Sequence, residues 1–192
     1  MYIVTGSGSG IGKSVYKTLK ETDPVIGIDI LQSDIVCDLS YEKNIKELVS
    51  EITNSNKEIS GVITCAGVVG GDSVISTNYF GSIRLVEYLY AHYGKINAIL
   101  IGSIIFTHTK VNNELIDLLL DGSESDAISF ARKNSLTDTE IYASCKLALN
   151  FWARRFIKNN PNSRINVIHP SLTKTGMTEK YLKSEVIKII FA

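Results

Sequence analysis

Apolar positions along this chain follow two alternating rhythms. Short apolar runs occur at 1–4, 25–29, 35–37, 61–65, 95–102 and 164–168. Several are bounded by glycine, proline or aspartate, and the run at 95–102 is unbroken after Lys95 except for Asn97. Strands buried on both faces of a parallel sheet need runs of this kind. Between the runs the spacing becomes helical. Ile11, Val15 and Leu19 recur every four residues, and Ile45, Leu48, Val49 and Ile52 share one face of a helix over 41–54. A long helix is expected over 74–93, carrying Asn78-Tyr79-Phe80-Gly81 near its start. Thr137-x-x-Glu140 reads as a capping box opening a further helix to about residue 159. Strand and helix alternate throughout, which predicts an α/β protein with a doubly wound parallel sheet. Ligands in such sheets bind at the carboxyl ends of the strands.

One connection does not fit. Residues 107–136 hold a leucine-rich piece at 115–120, a breaker at Asp121-Gly122 and a second helical piece at 123–133. A connection this long has its own structure and often a function. A solvated helical hairpin without chemical role and a functional insertion are both compatible with the sequence. No repeat, low-complexity tract or linker divides the chain, so one domain over 1–192 is expected, with a tail at 172–192.

Composition narrows the partners. The chain has 192 residues, 44% hydrophobic and 21% charged, with 20 basic and 20 acidic side chains balancing to zero. The absence of a basic block argues against nucleic acid or an anionic membrane as partner. No apolar run reaches the length of a membrane span. Met1 leads straight into the first run, so no signal peptide is expected. Cys37, Cys65 and Cys145 are odd in number and lack metal spacing. They read as reduced thiols, which together with the missing signal suggests a cytoplasmic protein and no metal.

The first strand passes directly into Thr5-Gly6-Ser7-Gly8-Ser9-Gly10-Ile11-Gly12, and a helix comes next. Glycine lets backbone N–H groups come close to a phosphate, and a helix N-terminus carries unpaired donors and partial positive charge. Gly6, Gly10 and Gly12 fall as G-x-x-x-G-x-G. That spacing suits a pyrophosphate but also fits an ordinary strand–helix turn. Asp29 ends the second strand roughly 20 residues on, where a carboxylate accepts from an adenosine ribose. There it would repel the extra phosphate of NADP, so NAD is favoured.

Ser103, Tyr142 and Lys146 carry the candidate chemistry. Tyr142 and Lys146 are four apart and share a helix face. A phenol titrates near ~10, and lowering it by about 3 units takes roughly 4 kcal/mol. An ammonium at about 4 Å supplies a term of that size at an effective dielectric near 20. Lys146 is therefore expected to make Tyr142 a general acid and base, with Ser103 polarising a carbonyl. Spacing alone is weak, because Tyr16-x-x-x-Lys20 repeats it on the first helix.

These residues together resemble the short-chain dehydrogenase/reductase family. The glycine turn, including Ser9 and Ile11, matches that family's cofactor turn, and Asp29 matches its NAD-selecting acid. The resemblance implies that Asp38-Leu39 meets the adenine and that Cys65-Ala66-Gly67 lines the cofactor, with Thr64 and Cys65 replacing two asparagines. It implies that Asn78 holds a water in a proton relay. Ser103, Tyr142 and Lys146 match the catalytic serine, tyrosine and lysine, and that lysine also binds the nicotinamide ribose. Pro170 and Thr173 resemble the segment closing over the nicotinamide amide, although Ser171 replaces a glycine. The finer texture, including the 107–136 insertion, is similar to the bacterial 3α-hydroxysteroid dehydrogenase/carbonyl reductase group.

Membership of that family would mean a Rossmann-like sheet in the order 3-2-1-4-5-6 with helices on both faces. The activity implied is NAD(H)-dependent interconversion of a secondary alcohol and a ketone on a small hydrophobic substrate. A homo-oligomer is implied, and the 172–192 tail would form a substrate loop. Members of the family continue into a seventh strand; none is expected within these 192 residues, which would leave strand six an exposed edge. A non-catalytic NAD(H)-binding sensor on the same fold is the alternative.

Overall fold

The computed structural model describes residues 1–55 and 57–179. The elements run β1 (Tyr2–Thr5), α1 (Gly10–Lys20), β2 (Val25–Asp29), β3 (Ile35–Val36), α2 (Glu42–Asn54) and β4 (Gly61–Thr64). Then come a π-helical segment (Ser76–Gly81), α3 (Ser82–Tyr93), β5 (Asn97–Ile101) and a 3-10 turn (Ile104–Thr107). The chain continues through α4 (Asn113–Asp121), α5 (Glu124–Lys133), α6 (Asp138–Asn159) and β6 (Arg164–Ile168). Among the described residues the sheet has six parallel strands in the order β3-β2-β1-β4-β5-β6. The apolar run at 186–191 and the end of the expected tail lie outside the described residues.

The strand order reverses between β1 and β4. Thr5 pairs with Ile28 on one side and Thr64 on the other. Beyond these residues the two connections leave in opposite directions, and a crevice opens at the switch point. The core lies on both faces of the sheet. Ile3, Ile28, Val62 and Leu100 share one apolar cluster with Leu85 and Leu89 of α3 and Leu149 of α6, while Val4 is buried on the opposite face.

The insertion is not a solvated hairpin. Leu115, Leu119 and Ala127 are buried in the same apolar cluster as Leu149 and Phe156. Ser144 on α6 ties it down, accepting from the Asn112 N–H at 2.9 Å. Asn112 in turn caps α4 through Leu115 N–H. The expected capping box at Thr137 and Glu140 is present at the start of α6.

The helix expected over 74–93 differs from its simple form. Residues Ser76–Gly81 are π-helical rather than α-helical. Asn78 Nδ2 donates to the Val74 carbonyl at 2.8 Å, the acceptor that an α-helix would give to the Asn78 main chain. A side chain bonded to the i−4 carbonyl competes with the regular ladder, and the turn widens by one residue.

Candidate active site

A crevice of about 790 Å³ runs along the carboxyl ends of the sheet. Its floor is the glycine turn. Gly6 and Gly10 have φ of 67° and 52°, backbone that glycine adopts without strain. A Cβ on Gly12 would lie 2.2 Å from the Gly6 carbonyl oxygen, so the turn and the start of α1 are in direct backbone contact. Ser9 stands at the N-cap of α1 but makes no side-chain cap bond. The leading N–H groups of α1 therefore have no side-chain acceptor from their own cap. Ile11 lines the same wall.

Asp29 comes from β2 onto this turn. Its Oδ2 accepts from Gly8 N–H at 2.9 Å and its Oδ1 from Leu31 N–H at 3.2 Å. Asp38 and Leu39 line the same end, with Asp38 Oδ1 accepting from Ser40 N–H. Cys65, Ala66 and Gly67 form the wall after β4, and Ala66 N–H donates to Thr5 Oγ1 at 3.0 Å. Burial pushes the Cys65 thiol up to about 12.

At the other end stand Ser103, Tyr142 and Lys146. Thr139, Tyr142 and Lys146 form one stripe of α6 facing the crevice. Ser103 leaves β5 in extended backbone, and its Oγ accepts from Ile105 N–H at 3.2 Å. The Tyr142 hydroxyl lies near the Ser103 side chain, which favours its ionised form. Lys146 is 3% exposed and donates to the Ile101 carbonyl at 2.7 Å. Its Nζ lies 5.6 Å from the centre of the Tyr142 ring.

This geometry corrects the expected effect of Lys146 on Tyr142. Burial raises the phenol above its usual value, and the Ser103 side chain offsets only part of that. The ammonium lies against the ring, with a hydrogen bond to a strand carbonyl. Lys146 is itself depressed to about 8, because burial disfavours its charge more than neighbouring thiols favour it.

Stability should respond to pH through this group. The folded pKa of about 8 lies below the ordinary 10.5, so between these values the unfolded chain binds the extra proton. Stability from Lys146 therefore rises with pH across that window and is lowest below it. At neutral pH the buried charge costs about 3 kcal/mol, of which the bond to Ile101 accounts for an offset of about 1 kcal/mol. Lys146→Met is expected to resist denaturant better than the parent at pH 7, by about 1–2 kcal/mol. The advantage should shrink as pH rises through the window. Equal unfolding midpoints at pH 7 would exclude this account.

Asn78 is placed behind the crevice wall. Its side chain donates to Val68 and Val74 carbonyls and accepts from Val68 N–H, so all of it serves the loop after β4. Gly67 separates it from the crevice, since a Cβ there would lie 2.7 Å from Asn78 Oδ1 and 3.6 Å from Lys146 Nζ. Pro170 lines the crevice and accepts from Ile104 N–H. Thr173 lines its outer edge and donates to the Ser171 carbonyl. Thr175, two residues on, packs against Gly10.

His169 and Asn150 join the site although neither is expected there from the sequence. His169 Nδ1 lies 3.2 Å from Ser103 N, and Nε2 lies 2.9 Å from Asn150 Oδ1. One signal was present, because Asn150 continues the Tyr142–Lys146 spacing by one further turn.

The fold defines an open α/β protein with a crevice at the topological switch point, where ligands bind in sheets of this kind. No protein-family model matches the chain, and no curated protein sequence matches it significantly. Solved structures do. A 3-alpha-hydroxysteroid dehydrogenase from Pseudomonas sp. B-0831, complexed with NADH, is 29% identical with a TM-score of 0.85. That match covers 97% of this chain and 78% of the other. A short-chain type dehydrogenase/reductase from Mycobacterium ulcerans is 18% identical over 98% of this chain and 73% of the other, TM-score 0.71. A 4-hydroxyisoleucine dehydrogenase mutant complexed with NADH and succinate is 18% identical over 98% and 80%, TM-score 0.74. The last two share the fold. The neighbours are mostly short-chain dehydrogenases/reductases, and this chain is similar to them in fold. No helix among the described residues is long and apolar enough to cross a membrane.

Proposed function

We propose that this protein is an NAD(H)-dependent oxidoreductase that interconverts a secondary alcohol and a ketone, with Tyr142 as general acid and base. The observation that carries this reading is the crevice itself. It brings the glycine turn, the Asp29 carboxylate and the Ser103–Tyr142–Lys146 group into one continuous space. The cofactor fits what is present. The turn offers backbone donors and the α1 N-terminus to a pyrophosphate. Asp29 suits a ribose diol and opposes an added phosphate, in line with the similar dehydrogenase complexed with NADH. Asp38 and Leu39 would meet the adenine, Cys65, Ala66 and Gly67 the middle of the dinucleotide, and Pro170 and Thr173 the nicotinamide end.

Bound NADH supplies the hydride. The chain's own residues handle the oxygen. Ser103 Oγ donates to the substrate carbonyl, and Tyr142 delivers a proton to it as the alkoxide develops. A phenol held above its usual value stays protonated at neutral pH, the form that carbonyl reduction needs. Lys146 holds the ribose and contributes positive charge beside the ring. The side chain of Asn78 is fully bonded, so a place in a proton relay falls to its main chain. Ile104, Ile105, Leu172 and Met177 line the crevice beyond Ser103, which suits a hydrophobic ketone.

The test is a titration with NADH and NADPH, followed by a screen of ketones for loss of NADH absorbance. Binding without oxidation across the panel would instead identify a sensor. Cofactor choice has its own variant. Asp29→Ser removes the charge facing the ribose, and the NADPH-to-NADH ratio of dissociation constants should fall at least about tenfold. An unchanged ratio would mean that Asp29 does not select the cofactor.

A further inference from the structure

The two strands that carry the reactive corner end side by side. In the β5–β6 ladder Ile101 pairs with Ile168, and Gly102 N–H still donates to the Ile168 carbonyl at 2.7 Å. One residue later the regular pattern fails on one side, because Pro170 has no N–H to donate. The ladder resumes where Ile104 N–H meets the Pro170 carbonyl. Ser103 lies within this interrupted stretch, and the side chain of His169 reaches it.

The imidazole packs on Gly102. A Cβ there would lie 2.4 Å from His169 Nδ1, so the ring occupies the space that glycine leaves. Phe106 meets the ring edge-to-face, with centroids 5.1 Å apart. The bond to Asn150 favours one tautomer. Asn150 Nδ2 points to the Leu147 carbonyl, so Asn150 Oδ1 faces the imidazole as an acceptor. With Nε2 protonated towards Asn150, Nδ1 keeps a lone pair for Ser103 N–H at 3.2 Å; the Ser103 carbonyl lies equally near Nδ1, so both main-chain groups of Ser103 face the imidazole. Asn150 lies on α6, the helix that also carries Tyr142 and Lys146. The chain of contacts therefore runs from α6 through the imidazole to the main chain of Ser103.

We infer that His169, oriented by Asn150, is a positioning residue that fixes the main chain of Ser103 so that the serine hydroxyl faces Tyr142. This rests on the oxidoreductase reading for its kinetic consequence, but not for the contact itself. Ser103 Oγ also accepts from Ile105 N–H, which ties it to the 3-10 turn. Without the imidazole, Ser103 would be held through that turn and through the ladder bonds of Gly102 and Ile104 on either side. A displacement of about 1 Å at a reacting group can cost about 100-fold in rate.

Two measurements on the full chain test this separately. The first needs no turnover. In ¹⁵N-labelled protein, a scalar coupling across the N–H···N bond should connect the Ser103 amide to His169 Nδ1. Its absence in the folded wild type would overturn the contact whatever the protein catalyses. The second is kinetic. His169→Phe keeps a ring but has no acceptor. It should lower kcat about 100-fold with KM and the NADH dissociation constant within about threefold. His169→Asn can place Oδ1 where Nδ1 lies, and should recover most of the lost kcat. Asn150→Leu should lower kcat in the same sense. Unaltered kcat in His169→Phe would reject the positioning role. So would a His169→Asn variant that binds NADH normally yet is as slow as His169→Phe. A wild type that shows the coupling but oxidises no NADH would sink the functional reading and leave the contact standing.

Discussion

Replacing Tyr142 with phenylalanine is expected to abolish turnover while NADH still binds. The substitution removes one oxygen and keeps the ring that faces Lys146 Nζ at 5.6 Å. No neighbour can take over the proton transfer. Lys146 donates to the Ile101 carbonyl, and the Ser103 hydroxyl would be occupied with the substrate oxygen. General acid–base catalysis contributes about 10²–10⁴-fold, so a loss of about 10³-fold or more is expected. The glycine turn and Asp29 lie at the other end of the crevice, so the NADH dissociation constant should change by less than about threefold. Stopped-flow oxidation and fluorescence titration read the two quantities separately. Turnover at the wild-type rate would remove Tyr142 from the mechanism. Loss of NADH binding together with turnover would assign it a binding role instead.

The second large effect is expected at Gly12. A Cβ there meets the Gly6 oxygen at 2.2 Å, the Gly6 carbon at 2.6 Å and the Thr5 oxygen at 2.9 Å. All three are backbone atoms, so no side chain can turn aside. Gly12→Ala must push α1 off the turn or open the turn itself. Either movement spoils the alignment between the α1 N-terminus and the loop that would cradle a pyrophosphate. Overpacking costs about 1–3 kcal/mol where side chains can yield, and rigid backbone puts this variant at or above the top of that range. NADH affinity should fall about 100-fold or more, because backbone donors set at a close approach cannot be partly replaced. Thermal unfolding and NADH titration together check this. A variant with wild-type midpoint and affinity would show that the contact relaxes without consequence, and the glycine turn would lose its claim to the phosphate.

The two substitutions act on separate physical features. Tyr142 holds a proton in a low-dielectric corner, where charge is costly and hydrogen bonds are strong. Gly12 holds no chemistry and is defined by what it lacks. Between them Asp29 accepts from the turn at Gly8, tying β2 to the same loop. The crevice is thus assembled from strand ends that the switch point leaves apart, and each end brings one function.

Two tyrosine–lysine pairs show where legibility stops. Tyr16-x-x-x-Lys20 and Tyr142-x-x-x-Lys146 have the same spacing, and both lie on helices. On α1, Lys20 donates to the Tyr16 hydroxyl and Tyr16 donates to Asp34, at a solvated face. On α6 the lysine is buried and leaves the hydroxyl to Ser103. Spacing fixes which side chains share a face, but the medium around that face comes from other segments. The same limit explains the phenol. Taken as an isolated pair, the ammonium is strong enough to acidify Tyr142, while in the fold burial raises the phenol and Lys146 is turned to Ile101.

Local rules made several features readable. The strand runs, the capping box at Thr137 and the glycine turn agree with the fold observed, as does the strand order that the family resemblance implied. The insertion was legible as two helical pieces, but not as part of the core. Its burial depends on Leu115, Leu119 and Ala127 meeting residues far along the chain. The π-helical turn at Asn78 also escaped, because it arises where the Asn78 side chain takes the Val74 carbonyl from the regular helix ladder.

By itself, then, the sequence determined periodicity, turn chemistry and the spacing of reactive groups, all of which depend on neighbours within a turn or two. Only the tertiary structure decided which tyrosine is buried, where Lys146 sends its proton and that an imidazole from the end of β6 meets the serine at the end of β5. Those outcomes are set by desolvation and by hydrogen bonds between strand ends, and both come into being only when distant segments pack.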